Sequence, residues 1–86
     1  MKKSKIEWKG KDYIVREVNL PEKWGYNNPV DVAEEDLWKE IEDSYNNGDK
    51  KAESIDNSIF FYCETDFIKS DPTDEELINY IEKYGF

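Results

Sequence analysis

The run of residues 59–63 constrains the fold most, because it is the only stretch of five consecutive apolar or aromatic residues in the chain. It is short, rich in aromatic rings and flanked by acidic and amide side chains, which is typical of a β-strand rather than a helix. Alternation divides its side chains between two faces, with Ile59, Phe61 and Cys63 on one and Phe60 and Tyr62 on the other. Since both faces are apolar and need cover, we interpret the run as the central strand of a small sheet.

The N-terminal part predicts a β-hairpin over residues 5–20, with turn chemistry at residues 9–12 and β-branched or aromatic residues after it. Pro21 ends the second strand because it has no N–H to donate to a neighbour. The irregular segment that follows is rich in turn-forming residues but carries Trp24 and Tyr26. Two interpretations stay open for these rings: a cover over the core, or a recognition loop.

Two helices are predicted from apolar residues at helical spacing. The first spans about residues 34–46, with acids in its first turn and Gly48 as its left-handed C-terminal residue. The second begins at Pro72 or, with a capping box, at Asp74, and runs to residue 84 before Gly85 stops it. The residues of the two apolar stripes are Leu37, Trp38, Ile41 and Tyr45 in the first helix and Leu77, Ile78, Ile81 and Tyr84 in the second.

The remaining segments complete a prediction for the whole chain. Residues 30–32 predict a very short strand, residues 50–53 a single helical turn, and residues 67–68 an apolar cap on one edge of the core. The order is therefore β-β-(short β)-α-β-α within a single domain, residues 1–86. We expect the α+β class, with a small antiparallel sheet of three to four strands and both helices on one face.

Catalysis is not expected, because the chain contains no histidine. This removes the commonest general base near neutral pH, the usual partner of a serine or cysteine nucleophile, and the commonest metal ligand. Cys63 is the only cysteine and lies within an apolar run, so we interpret it as a buried small hydrophobe. The four glycines are isolated, and no phosphate-binding loop is present in the sequence. We predict no enzyme, no catalytic residues and no cofactor.

Acidic residues cluster at 34–36 and at 71–76, and both clusters fall at predicted helix starts. Neither has the alternating oxygen ligands, the central glycine and the terminal glutamate of a calcium-binding EF-hand loop. Acids are expected at these positions because they offset the positive end of the helix dipole. We therefore predict no metal site.

The net charge of −9 is distributed unevenly. Residues 1–30 carry seven basic against four acidic side chains (+3), whereas residues 31–86 carry five against seventeen (−12). Such a protein repels phosphate backbones and anionic lipid, so we expect no direct binding to nucleic acid or membrane. An intrachain disulfide is impossible with one cysteine, and no apolar segment follows the basic start as an export signal would require. These features predict a cytoplasmic protein.

The leading hypothesis is a non-enzymatic protein–protein interaction module, since 13 aromatic residues are more than so small a core is expected to bury. The partner is a different protein or a second copy in a homodimer, and the candidate interaction surface consists of Trp24, Tyr26, Phe60 and Tyr62. The alternative is an acidic inhibitor of the anti-restriction or anti-defence type, which presents carboxylates in place of nucleic-acid phosphates. The chain resembles small acidic proteins of bacterial and phage genomes, and its richness in Lys, Asn, Ile, Glu and Asp is typical of an A+T-rich genome.

Overall fold

The computed structural model describes residues 2–85, with side chains from residue 4 onward. Four strands and four α-helices lie within this range, and the fold class is α+β, as predicted. In chain order they are β1 (Lys2–Trp8), β2 (Lys11–Val18), β3 (Val30–Glu34), α1 (Glu35–Asn46), α2 (Lys50–Ser58), β4 (Phe61–Cys63), α3 (Thr65–Lys69) and α4 (Asp74–Gly85). A turn of 3₁₀ helix, Glu22–Trp24, lies between β2 and β3.

The sheet has the strand order β1-β2-β3-β4. β1 and β2 form the predicted hairpin, joined by Lys9 and Gly10, whose backbones are both left-handed (φ 51° and 82°), as a two-residue hairpin turn favours. β3 pairs antiparallel with β2, and Val15 lies opposite Ala33. The predicted short strand is therefore confirmed, and it lies in the interior of the sheet.

The apolar run differs from the prediction in its place in the sheet. Only its last three residues form β4, which is an edge strand that pairs with β3 alone. The pairing is parallel, with Ala33 opposite Tyr62, so the sheet is mixed and the expectation of an antiparallel central strand is wrong. The physical reason is the connection: α1 and α2 form a crossover from the end of β3, and a crossover returns the chain in the same direction.

Helices cover both faces of the sheet, which corrects the prediction that they share one face. We call the side packed against α1 and α2 the first face, and the side packed against α3 and α4 the second face. The buried residues of the first face and its helices are Trp8, Tyr13, Val15, Ala33, Leu37, Ile41, Ala52 and Ile59. Those of the second face and its helices are Val18, Leu20, Val32, Cys63, Ile68, Leu77 and Ile81.

The alternation of β2 and β3 explains why one helical layer is not enough. Val15 points to the first face and Val18 to the second, so each face has apolar side chains to remove from water. The additional cover comes from α2, which is a complete helix where a single turn was predicted, and from α3. Asp49 caps α2, and its carboxylate accepts a hydrogen bond from the Lys51 N–H at 2.9 Å.

The two predicted helices are confirmed, and so is one of the two proposed starts of the second. Thr73 and Glu76 form the capping box of α4: the Thr73 N–H donates to Glu76 Oε1 at 3.0 Å, and the Glu76 N–H donates to Thr73 Oγ1 at 3.2 Å. Gly48 has a left-handed backbone (φ 82°) beyond the end of α1, as predicted. α4 therefore begins at Asp74 rather than at Pro72.

Gly85 lies where the sequence predicted the last helix to stop, and it also makes a close contact with the sheet. It is the last residue of α4, and its φ is not left-handed. A Cβ atom at this position would stand 2.8 Å from Cε2 of Phe61, which is closer than carbon atoms pack. The missing side chain lets the end of α4 lie directly against the ring of the edge strand.

Candidate functional site

Three of the four predicted surface residues lie on the second face: Trp24, Tyr26 and Phe60. The ring centroids of Tyr26 and Phe60 are 4.9 Å apart, with an edge-to-face angle of 74°. Trp24 is half-buried against the same cluster, which is the position that the cover interpretation requires. Tyr26 remains 43% exposed, so the loop carries one covering ring and one ring open to solvent.

Tyr62 lies on the other side of the sheet. Its ring packs on Trp38 of α1 at 5.5 Å, and its hydroxyl donates a hydrogen bond to Asp56 Oδ1 at 3.2 Å. Burial, with the Asp56 charge as a smaller contribution, raises the pKa of Tyr62 above its ordinary value. The side chain is half-buried between the sheet and α1, and the predicted pairing of Phe60 with Tyr62 on one open face is wrong.

The chain bends at Phe60, and this bend is why alternation failed. The Phe60 N–H donates to the Asp31 carbonyl at 2.8 Å, but the strand itself begins only at Phe61. As a result Phe60 and Phe61 both pack on the second face, and regular alternation applies from Phe61 to Cys63. A period of two describes the side chains only where the backbone is already an extended strand.

A second aromatic group, which sequence reasoning missed, lies where α3 and α4 meet β4. The Phe67 and Tyr80 rings are stacked at 4.5 Å, Tyr80 and Tyr84 are 4.7 Å apart, and Phe61 meets Tyr80 edge-on at 6.0 Å. We call Phe67, Tyr80 and Tyr84 the α4 aromatic surface. Tyr84 was predicted in the core stripe but is 59% exposed, the highest value among the large hydrophobic side chains that the structure describes.

Local structure holds these rings in place. Tyr80 and Tyr84 are four residues apart on α4, so they occupy adjacent positions on one side of the helix. The Tyr80 hydroxyl accepts a hydrogen bond from the Glu64 N–H at 3.2 Å, which ties the helix to the segment before α3. Burial of that hydroxyl is the main reason that the pKa of Tyr80 is raised. The sequence feature that could have predicted this aromatic surface is the pair of tyrosines four residues apart, Tyr80 and Tyr84, beside the apolar stripe of the same helix.

An open groove of about 420 Å³ runs along the α4 aromatic surface. The polar residues that line it are Glu64, Glu76, Asn79 and Lys83. The Lys83 ammonium lies 5.2 Å from the centroid of the Tyr84 ring, within the range of a cation–π interaction. The groove therefore combines exposed ring faces, two carboxylates and one cation of the chain itself.

A second, more polar crevice lies at the carboxyl ends of the parallel strands β3 and β4, where the chain leaves for opposite faces. Its lining residues are Glu35, Asp36, Glu64, Thr65, Asp66 and Lys69. Most of its acids stand in the first turns of α1 and α3, where they offset the helix dipoles. No group of three potential ligands that could hold a metal ion occurs among residues 2–85.

Glu34 differs from the other acids because its carboxylate is internal. It ends β3, is 4% exposed, and its Oε2 accepts a hydrogen bond from the Ile14 N–H at 2.6 Å. The side chain replaces the backbone acceptor that β2 loses where β3 turns into α1. Glu34 therefore completes the sheet instead of facing a ligand.

Cys63 is buried, as the sequence indicated. Burial first, and the negative charge of Glu35 next, raise the pKa of its thiol to about 12. A thiol with this pKa is protonated at neutral pH, and the protonated form is a poor nucleophile.

In comparisons with known proteins, no family model, no curated protein and no solved structure matches the chain. Within residues 2–85, no helix has the length and apolar character needed to cross a bilayer.

Proposed function

We propose that this protein is a non-enzymatic interaction module that binds a basic region of a partner protein through the α4 aromatic surface. The observation that carries the proposal is the contact of Tyr80 with Phe67 at 4.5 Å and with Tyr84 at 4.7 Å, along an open groove that is also lined by Glu64 and Glu76. Rigid aromatic side chains held by neighbours contribute large contact area at a small cost in conformational entropy, and they are common among the energetically dominant residues of interfaces.

The charge of the chain supports a basic partner. The net charge of −9 attracts a positively charged surface over a long range and raises the rate of encounter with it. The aromatic rings then supply the short-range contacts. This division of roles is typical of interfaces in which electrostatics gives speed and specificity while buried rings give residence time.

The phosphate-mimicry alternative depends on where the acidic side chains lie in the fold. Seven acids would have to form one row: Glu34, Glu35, Glu42, Asp43, Asp74, Glu75 and Glu82. Glu34 is buried, and the others are divided between α1 on the first face and α4 on the second. A row that follows a duplex backbone needs its charges on one side of the protein. We therefore favour the aromatic surface over mimicry.

The test is a capture experiment with matched variants. Tyr84→Ala removes the most exposed ring of the α4 aromatic surface, and Tyr45→Ala removes a 38% exposed tyrosine from α1, on the other side of the sheet. Both substitutions remove a partly exposed ring, so each is expected to lower the free energy of unfolding by about 1 kcal/mol, and thermal unfolding checks that both variants fold. Proteins captured from an extract of the native host are quantified by mass spectrometry and then tested as purified components.

The expected result is a basic protein that binds the wild type and Tyr45→Ala but is lost with Tyr84→Ala, and that binds in the same way when purified. Analytical ultracentrifugation of the wild type alone tests for a homodimer. Capture of no protein, or equal loss with both variants, contradicts the proposal. So does a self-association that Tyr84→Ala abolishes, because the surface would then be an interface between two copies.

A further inference from the structure

We infer that the groove along the α4 aromatic surface binds an arginine side chain of the partner protein, a specific form of the proposed function on which it rests. The guanidinium would lie against the rings of the α4 aromatic surface, and Glu64 and Glu76, which line the same groove, would supply the negative charge that attracts it. Two features of this groove, which has a volume of about 420 Å³, lead to the inference: a ring face that already attracts a cation, and two glutamates among the lining residues.

The ring face is the first feature. Lys83 Nζ lies 5.2 Å from the centroid of Tyr84, so the chain itself uses this ring as a site for positive charge. Lys83 directly precedes Tyr84 in the chain, and its ammonium is exposed to solvent. A ligand that binds the ring more strongly can therefore displace the ammonium from it. A planar guanidinium stacks on an aromatic ring better than an ammonium does, because it is delocalised and less strongly hydrated.

The carboxylates are the second feature. Glu76 uses Oε1 to accept the Thr73 N–H, and the described residues provide no hydrogen bond to its other carboxylate oxygen. Glu64 is held near Tyr80 by its own N–H, which donates to the Tyr80 hydroxyl, and the exposed residue is one of those that line the groove. A guanidinium has five donors in a fixed plane and matches carboxylate oxygens better than a single ammonium.

A second copy of this chain cannot supply the arginine. Arg16 is the only arginine in the sequence. It is 3% exposed, and its Nη1 lies 3.2 Å from Asp71 Oδ1. A ligand with an accessible guanidinium therefore has to be a different protein, which fixes the partner as heterologous.

The probes are three short peptides with blocked ends, in which glycine alternates with arginine, with lysine or with glutamine. Binding to the full chain at low ionic strength is followed through amide chemical shifts in NMR spectra. The arginine peptide is expected to bind more tightly than the lysine peptide of equal charge, with the shifts centred on α3 and α4. Tyr84→Ala should weaken the arginine peptide by about 2- to 5-fold, as expected for a cation–π contact at an exposed site, and Tyr45→Ala should not.

A charge variant that preserves the fold gives the sharper test. Glu76→Gln removes a charge from the groove but keeps the capping box, because glutamine also serves at that position. Glu42→Gln removes the same charge from α1 and controls for the lower net charge of the protein. The expected result is a loss of about 2-fold or more in arginine-peptide affinity with Glu76→Gln and a smaller loss with Glu42→Gln.

Lys83 provides a test with the opposite sign. Lys83→Gln removes the competing cation from Tyr84, so it should strengthen binding of the arginine peptide. Lys39→Gln on α1 makes the same change in net charge away from the groove. An increase with Lys83→Gln that exceeds the increase with Lys39→Gln supports a direct competition for the ring.

Several outcomes would overturn the inference. Equal affinity for the arginine and lysine peptides, or equal effects of Glu76→Gln and Glu42→Gln, would show that only the overall charge of the protein matters. If a captured partner still depended on Tyr84, the interaction module would stand and the arginine site would fall. If capture did not depend on Tyr84 either, both would fall.

Discussion

The first and second faces of the sheet bury similar aliphatic residues but use their aromatic residues differently. On the first face, Trp8 and Tyr13 are 4% and 2% exposed and lie within the core. On the second face the buried residues are aliphatic apart from Cys63, and the rings of Phe61, Tyr80 and other aromatic residues pack around them without being fully covered. The comparison shows that the number of aromatic residues does not indicate where an exposed aromatic surface lies. Its position depends on which rings the helices leave uncovered. The first face buries two of its rings fully, although Trp38 and Tyr62 beside them are half-buried, whereas the buried residues of the second face include no ring.

The largest expected effect tests whether the two cores are equally closed. Ile41→Ala and Ile81→Ala each remove a buried aliphatic side chain, 0% and 1% exposed. Each should lower the free energy of unfolding by about 2–5 kcal/mol, through lost burial and a residual cavity. Ile81→Ala should lie lower in that range, since partly exposed rings beside it can shift into the space. Urea unfolding measures both, and a larger loss for Ile81→Ala would contradict the comparison.

The next effect concerns the point where β3 leaves the sheet. Glu34→Ala removes the acceptor of the Ile14 N–H, a hydrogen bond of 2.6 Å to a buried carboxylate. The free energy of unfolding should fall by about 1.5–3 kcal/mol, the range for hydrogen bonds to charged groups. Glu34→Gln retains an acceptor oxygen and is the matched control. Equal losses in the two variants would show that the hydrogen bond is not what Glu34 contributes.

Asn28 tests how the Trp24 loop is attached to the second face. Its side-chain oxygen accepts from the Leu20 N–H at 2.7 Å, and its amide donates to the Leu20 carbonyl at 2.8 Å. Asn28→Ala should reduce the free energy of unfolding by about 1–2 kcal/mol, the lower part of the range for an unpaired group, because water can reach this exposed residue. Asn27→Ala is the neighbouring control. A neutral Asn28→Ala would show that the loop is held by its rings alone.

The smallest expected effect concerns Tyr62, on the first face. Tyr62→Phe removes its hydrogen bond to Asp56 and should cost about 0.5–1.5 kcal/mol at neutral pH. Tyr45→Phe on α1 controls for the loss of a hydroxyl. Calorimetry of both variants measures the difference.

The same variant has a predicted pH dependence. Because burial and Asp56 raise the pKa of Tyr62 above 10.0, the native state keeps a proton that the unfolded chain loses. The contribution of Tyr62 to the free energy of unfolding is complete below pH 10.0 and is lost as the pH rises through the pKa of Tyr62 in the native state. Phenylalanine does not titrate, so the Tyr62→Phe variant is not destabilised in this way. The difference in free energy of unfolding between the wild type and the variant should therefore shrink above pH 10.0. An advantage that grows with alkaline pH would contradict the assignment.

Local signals predicted most elements, although α2 was predicted as a single turn and α3 only as an apolar cap on the core. The hairpin, α1 and the capping box of α4 depend on neighbouring residues, so their patterns were sufficient. Phe60 was misplaced because its bend depends on a hydrogen bond to Asp31, 29 positions earlier in the chain. Of the residues of the candidate surface, Tyr26 and Phe60 are in contact, whereas Tyr62 packs on the other face of the sheet.

The α4 aromatic surface illustrates the same limit. The apolar stripe of the last helix was correct at Leu77 and Ile81, and Tyr84 was assigned to it because it continues the spacing. Which end of the stripe stays exposed depends on how far the sheet extends beneath the helix, and β4 has only three residues. Helical spacing specifies the direction in which a side chain points, whereas its burial requires a neighbouring element at the same position along the helix axis.

The sequence by itself determined the α+β class, the order of the predicted elements, the burial of Cys63 and the acidic character of the chain, since these follow from composition, spacing and local hydrogen bonds. Tertiary structure alone decided that β4 is a parallel edge strand, that helices cover both faces, and that Phe67, Tyr80 and Tyr84 meet at one groove. The physical reason is that strand pairing and helix packing join residues far apart in the chain, and their free energies depend on which surfaces meet rather than on any local pattern.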